Sequence, residues 1–96
     1  MNFIADKIIF TSLKNMKLGF IDVTNYNGQK FYLGNKNSLK RASLIIKKKG
    51  FTLEIISKGS VGLAESYMRG DFDTDNLTNL IEILAYNIRA VHKFAG

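Results

Sequence analysis

Residues 17–34 read KLGFIDVTNYNGQKFYLG, and they decide what kind of fold this chain can adopt. Two runs rich in aromatic and β-branched side chains flank Asn27-Gly28, a pair that supplies positive φ at the centre of a tight hairpin turn. The stretch predicts a β-hairpin. The rest of the chain must then furnish further strands and something to cover the sheet.

Just downstream, LKRASLIIKK alternates: Ala42, Leu44 and Ile46 fall on one face, and Arg41, Ser43, Ile45 and Lys47 on the other. That period of two predicts a third strand, half buried and ended by Gly50. Upstream, residues 2–13 contain no Gly or Pro and read as a helix with two apolar sides. Phe3, Ile9, Phe10 and Leu13 form one side and Ile4 and Ile8 the other, so the helix is expected to want two neighbours.

From Phe51 the period becomes helical. Phe51, Leu53, Glu54, Ile55 and Ile56 form a short amphipathic helix that Gly59 terminates, and SVGLAESYM forms a second, capped by Ser60 and stopped at Gly70. Asp73, Thr74 or Asp75 can cap a last helix whose stripe is Leu77, Leu80, Ile81, Leu84, Ile88 and Val91. Beside that stripe lie Ile83, Tyr86, Ala90 and Phe94. Of these, Ile83, Tyr86 and Phe94 are docking candidates, unless Ile83 and Phe94 pack under the first helix. The order of elements predicts an α+β domain in which helices cover one face of a small antiparallel sheet.

Ninety-six residues suffice for one small domain spanning 1–96, and are too few for a catalytic domain beside an accessory one. The absence of cysteine excludes a disulfide scaffold and a thiolate metal site, and sits easily with a cytoplasmic protein. Asp6 and Lys7 interrupt the apolar N-terminus, which is therefore not expected to be a signal peptide. The net charge of +6 favours anionic partners. Richness in Lys, Asn and Ile is also what A+T-rich coding produces, and both explanations stand at this point.

Several chemistries can be tested by their residues. DFDTDNLTNLIE sets Asp71, Asp73, Asp75 and Glu82 at calcium-loop positions 1, 3, 5 and 12, but Asn76 replaces the glycine of position 6. A helix beginning at Leu77 also conflicts with the carbonyl ligand such a loop needs, so no metal is expected. His92 is the sole histidine and falls in the last turn of a terminal helix, where a charged imidazole favours the helix dipole. The glycines form no G-x-G pair, so neither a dinucleotide loop nor the glycine loop of S-adenosylmethionine-dependent methyltransferases can be drawn. No cofactor is expected. Glu65 has no partner acid or base nearby in sequence and reads as structural.

Lys40, Arg41, Lys47, Lys48 and Lys49 cluster along the third strand and its end. Single-strand nucleic-acid binders interleave such charges with aromatics on an open sheet face. Here the intervening residues are aliphatic, which argues against nucleic acid.

The run GSVGLAESYMRGDFDTDNL resembles the signature near the end of the N-terminal accessory domain of cyclopropane-fatty-acyl-phospholipid synthases and related lipid methyltransferases. There a G-x-x-G-L-x-E-x-Y-M-x-G-D-W-D pattern leads into a leucine-rich helix. Gly59, Gly62, Leu63, Glu65, Tyr67, Met68, Gly70, Asp71 and Asp73 match it, with Phe72 where tryptophan is usual. The segment NYNGQKFYLG is similar to that family's hairpin, with Asn27-Gly28 in place of Asp-Gly and no preceding proline.

The resemblance implies a noncatalytic domain with a fold like sterol carrier proteins. It would serve enzymes that transfer a methylene or methyl group from S-adenosylmethionine to an unsaturated acyl chain of a membrane phospholipid. The implied partners are an anionic phospholipid surface, met through Lys40, Arg41, Lys47, Lys48 and Lys49, and a catalytic methyltransferase domain in cis or trans. Self-association and a place at the inner face of the membrane are further implications. A stand-alone carrier holding a hydrophobic ligand between sheet and helices is the alternative. Residue by residue, the signature reads as a corner: Gly59 and Gly70 bracket a helix, Gly62 permits close packing, Leu63, Tyr67 and Met68 face the sheet, and Glu65 caps or bridges backbone.

Overall fold

The computed structural model describes residues 2–95, and the side chains of Ile4 and of residues 6–87. Its elements run α1 (Asn2–Leu13), β1 (Phe20–Thr24), β2 (Lys30–Gly34), β3 (Arg41–Ile46), α2 (Phe51–Arg69), β4 (Phe72–Asp73) and α3 (Leu77–Ala95). The class is α+β, as the order of sequence periods predicts. No helix among the described residues is long and apolar enough to cross a membrane.

The hairpin forms where it is expected, with a turn of a different kind. Val23 pairs with Phe31 and Thr24 with Lys30, and the Gln29 carbonyl accepts the Asn25 N–H at 2.8 Å. Gly28 alone takes positive φ, at 87°, while Asn27 does not. The Gly28 N–H donates to the Asn25 carbonyl at 2.9 Å. The turn is therefore a conventional four-residue turn closed by a left-handed glycine, a three-residue hairpin loop rather than the two-residue one.

The sheet is mixed rather than antiparallel. Its order is β2-β1-β3-β4, because β3 adds to the free edge of β1 and runs parallel to it, Phe20 opposite Arg41 and Val23 opposite Leu44. The short β4, which sequence periodicity did not reveal, closes the edge by pairing Phe72 with Ile46.

Inward-facing Ile21, Val23, Leu33, Ala42, Leu44 and Ile46 meet Ile9 and Leu13 of α1, Phe51, Ile55 and Leu63 of α2, and Leu80, Ile83 and Leu84 of α3 in one core. Alternation on β3 behaves as predicted, with Ile45 left exposed. Only one side of α1 is used. The helix does meet α2, α3 and β2, but Ile4 and Ile8 are exposed, so its second apolar side is left uncovered, and the side chain of Phe3 lies outside the described residues.

The stripe of α3 keeps Leu77, Leu80 and Leu84 as expected but takes Ile83 in place of Ile81, while the side chains of Ile88 and Val91 lie outside the described residues. Ile83 is buried and Ile81 exposed, because Ile83 packs on the backbone of Gly19 and Asn87 follows it on the same face. The Asn87 amide donates to the Leu18 carbonyl at 3.2 Å and to the Ile83 carbonyl at 2.7 Å, tying α3 to the α1–β1 loop. Asn76, not Asp73, Thr74 or Asp75, caps this helix by accepting the Asn79 N–H at 3.0 Å.

Candidate functional site

The signature residues build a corner in which polar groups are matched to partners. Gly59 breaks α2 with φ 57° and ψ −132°, a conformation that only glycine adopts cheaply. The two halves of α2 then cross so closely at Gly62 that a Cβ there would stand 2.5 Å from the Glu54 carbonyl oxygen. Gly70, at φ 78°, ends the helix. The Asp71 N–H donates to the Ser66 carbonyl at 2.9 Å and the Gly70 N–H to the Tyr67 carbonyl at 3.0 Å, the paired bonds of a Schellman stop.

Arg69 is the hub of this corner, 3.3 Å from Glu54 and 3.0 Å from Asp71. Lys58 lies 3.3 Å from both Glu54 and Glu65. Burial works against the Glu54 carboxylate, but Lys58 and Arg69 outweigh it, so its pKa falls below the usual carboxylate value. Hydrogen bonding to Glu54 and Glu65 raises the Lys58 pKa, and hydrogen bonding to Asp71 raises that of Arg69. Glu65 thus bridges to a side chain, not to backbone. Asp73 pairs with Lys47 at 2.8 Å, and the Lys47 N–H donates to the Asp71 carbonyl, which fixes the corner to the end of β3.

Of the three signature residues expected to face the sheet, Leu63 is buried, Tyr67 is half exposed with its ring 5.6 Å from that of Phe72, and Met68 is 78% exposed. Phe72 itself is buried and packs at 5.1 Å on Phe51. The calcium-loop carboxylates diverge. Asp71 is held by Arg69, Asp73 by Lys47, and Asp75 by Ser43, whose N–H and hydroxyl exchange bonds with Asp75 at 2.8 and 2.9 Å.

The basic cluster, contiguous in sequence, is divided in space. Lys47, Lys48 and Lys49 leave the far end of β3, while Lys40 and Arg41 begin it, about 20 Å away at the rise of a strand. Lys40 pairs with Glu82. Arg41 lies over the Phe20 ring at 4.5 Å and donates to the Lys36 carbonyl at 2.7 Å. Among the docking candidates, Ile83 is occupied inside the core, Tyr86 is 63% exposed, and the Phe94 side chain, like that of His92, lies outside the described residues.

Two surfaces escaped the linear reading. On the open sheet face Tyr32 stacks on Phe20 at 5.5 Å, so neighbouring strands supply the aromatics that β3 lacks. Phe20 is nonetheless covered by Arg41 and Tyr32, and Asp22 and Asp75 line the same hollow, which leaves Tyr32 as the exposed ring.

The second surface lies at the start of β3. There the α1–β1 loop, the β2–β3 loop and α3 meet in a groove lined by Leu18, Lys40, Glu82, Ile83, Ala85 and Tyr86. Leu18, Leu39 and Tyr86 are exposed around it. The signal for it was present in the sequence as Leu39 amid Lys36, Lys40 and Arg41, but alternation absorbed Leu39 into a strand.

Comparisons with curated proteins and with solved structures found no match. The family described as a domain of unknown function, DUF7884, matches residues 8–94, nearly the whole chain, and the chain belongs to that family.

Proposed function

We propose that this chain is a noncatalytic accessory domain of a cyclopropane-fatty-acid synthase-like lipid methyltransferase. It brings a catalytic domain, in cis or in trans, to an anionic phospholipid surface at the inner face of the membrane. The observation that carries the reading is the corner from Gly59 to Asp73. Glu65, Asp71 and Asp73, the acidic groups of the resembling signature, are each matched to a cation of the same domain. Groups so matched set the angle between helices and are poorly placed for acid–base work. A signature devoted to geometry fits a domain whose task is to position another.

Packing favours this reading over the hydrophobic-ligand carrier. A carrier of that kind needs room between sheet and helices, and that layer is filled by Ile21, Val23, Leu33, Leu80 and Ile83. Transfer of a labelled methyl group from S-adenosylmethionine to unsaturated phospholipid tests the proposal. The chain alone is expected to transfer nothing. Supplied to a catalytic domain of this class, it raises the rate on anionic vesicles and leaves the rate on detergent-dispersed lipid unchanged. Stoichiometric micromolar binding of S-adenosylmethionine by the chain, or no effect on vesicles, would overturn it.

A further inference from the structure

The end of the domain where β3 begins has the makings of a membrane-contacting tip. Leu39 is 98% exposed, Tyr86 63% and Leu18 56%. An isolated exposed leucine is ordinary, but this one is held out by a loop with a dense set of internal bonds. The Asn35 N–H donates to the Gly19 carbonyl at 3.0 Å, the Ser38 N–H to the Asn35 carbonyl at 2.9 Å, and the Phe20 N–H to the Lys40 carbonyl at 3.1 Å. The Gly19 N–H donates to the Ser38 hydroxyl at 3.0 Å. The two loops are thereby fastened to each other and, through Asn87 and Leu18, to α3. Leu39 contributes little to the core and projects beyond a fixed base.

Basic groups outnumber acidic ones around this tip, where Glu82 lines the groove and Asp22 and Asp75 share the hollow beside Lys36 and Arg41. Residues 14–19 and 35–41 carry Lys14, Lys17, Lys36, Lys40 and Arg41 and no acidic residue. Lys14, Lys17 and Lys36 are exposed, and among the described residues no carboxylate pairs with them. Glu82 answers Lys40 alone. Projecting apolar side chains beside the exposed Lys14, Lys17 and Lys36 match a bilayer of anionic lipid. The hydrocarbon boundary accepts single leucine and tyrosine side chains without a shaped partner, while the headgroups neutralise the lysines.

We infer that Leu39, Leu18 and Tyr86 enter the headgroup boundary of an anionic phospholipid bilayer, with Lys14, Lys17 and Lys36 on its phosphates. This rests on the reading that the domain works at a phospholipid surface, and it assigns the face that does so. The contact moves from Lys47, Lys48 and Lys49, at the other end of β3, to the two loops.

The chain has no tryptophan, so Leu39→Trp and Met68→Trp each place a single indole, at the tip and at the distant corner. Both positions are exposed, and neither substitution disturbs the core. Each variant is mixed with phosphatidylglycerol–phosphatidylcholine vesicles containing brominated acyl chains, at about 0.05 M salt, where exposed charges act over about 14 Å. The expected result is strong quenching at position 39 and none at 68, with Lys17→Glu and Lys36→Glu each lowering the bound fraction about fivefold. Vesicle binding with quenching at 68 and none at 39 would overturn the assigned face and spare the lipid reading. No binding of the unsubstituted chain would overturn both, and would turn the tip towards a protein partner.

Discussion

The alpha carbon of Gly62 lies so close beneath Glu54 that a methyl group on it would stand 2.5 Å from the Glu54 carbonyl oxygen and 2.9 Å from the Lys58 Cβ. The obstacle is backbone, which cannot swing aside as a side-chain end can. Gly62→Ala is therefore expected to push the two halves of α2 apart and to cost about 1–3 kcal/mol. Gly50→Ala is the control: it meets nothing within 4 Å and has an ordinary φ of −86°. Thermal unfolding should show a fall of several degrees for the first and little change for the second. Equal melting temperatures would mean that the halves do not cross there.

Gly70 makes a different demand, conformational rather than steric. Its Cβ would meet open space, but its φ of 78° is left-handed. Gly70→Val should cost about 1–2 kcal/mol through strain alone. An unchanged denaturant midpoint would show that the chain leaves α2 by another route.

Acid should weaken the corner before it unfolds the core. The folded pKa of Glu54 is depressed below its ordinary 4.5, despite burial, by Lys58 and Arg69. Its contribution is complete above that ordinary value and is lost as pH falls through the lower folded one. Lys58, raised above 10.5, loses its share only as pH rises through its elevated value. Melting temperature followed downward from neutral pH should therefore drop in the acid range, and the drop should be shallower in Glu54→Gln. An identical acid limb in that variant would place the loss elsewhere.

Calcium should leave the fold unchanged. Asp71, Asp73 and Asp75 are turned to Arg69, Lys47 and Ser43 respectively, and α3 has begun by Leu77, where a calcium loop would need open backbone. A large rise in melting temperature at millimolar calcium, reversed by chelator, would contradict this.

The parts of this fold legible in the sequence were those fixed by local chemistry. Alternation along Ala42, Leu44 and Ile46 states which face of a strand is buried. It does not state which edge of the hairpin that strand joins, so the parallel pairing to β1 stayed hidden. Two-residue β4 is too short to carry a period. On α3, polar Asn87 disguised the buried face, since nothing local shows that its amide reaches the Leu18 carbonyl 69 residues earlier. The signature glycines were legible because positive φ and close approach are properties of single residues. The tip was not, because Leu18, Tyr86 and the Ser38 and Lys40 that flank Leu39 come together only in three dimensions.

The most direct test of the central claim is co-sedimentation of the unsubstituted chain with anionic and with neutral vesicles as salt rises from about 0.05 to 0.5 M, over which the Debye length falls from about 14 to 4 Å. The account predicts weak, reversible binding to anionic vesicles alone, fading across that range, with each basic residue near the surface contributing about 1 kcal/mol at most. Equal binding to both vesicles, indifferent to salt, or no binding to either, would contradict it.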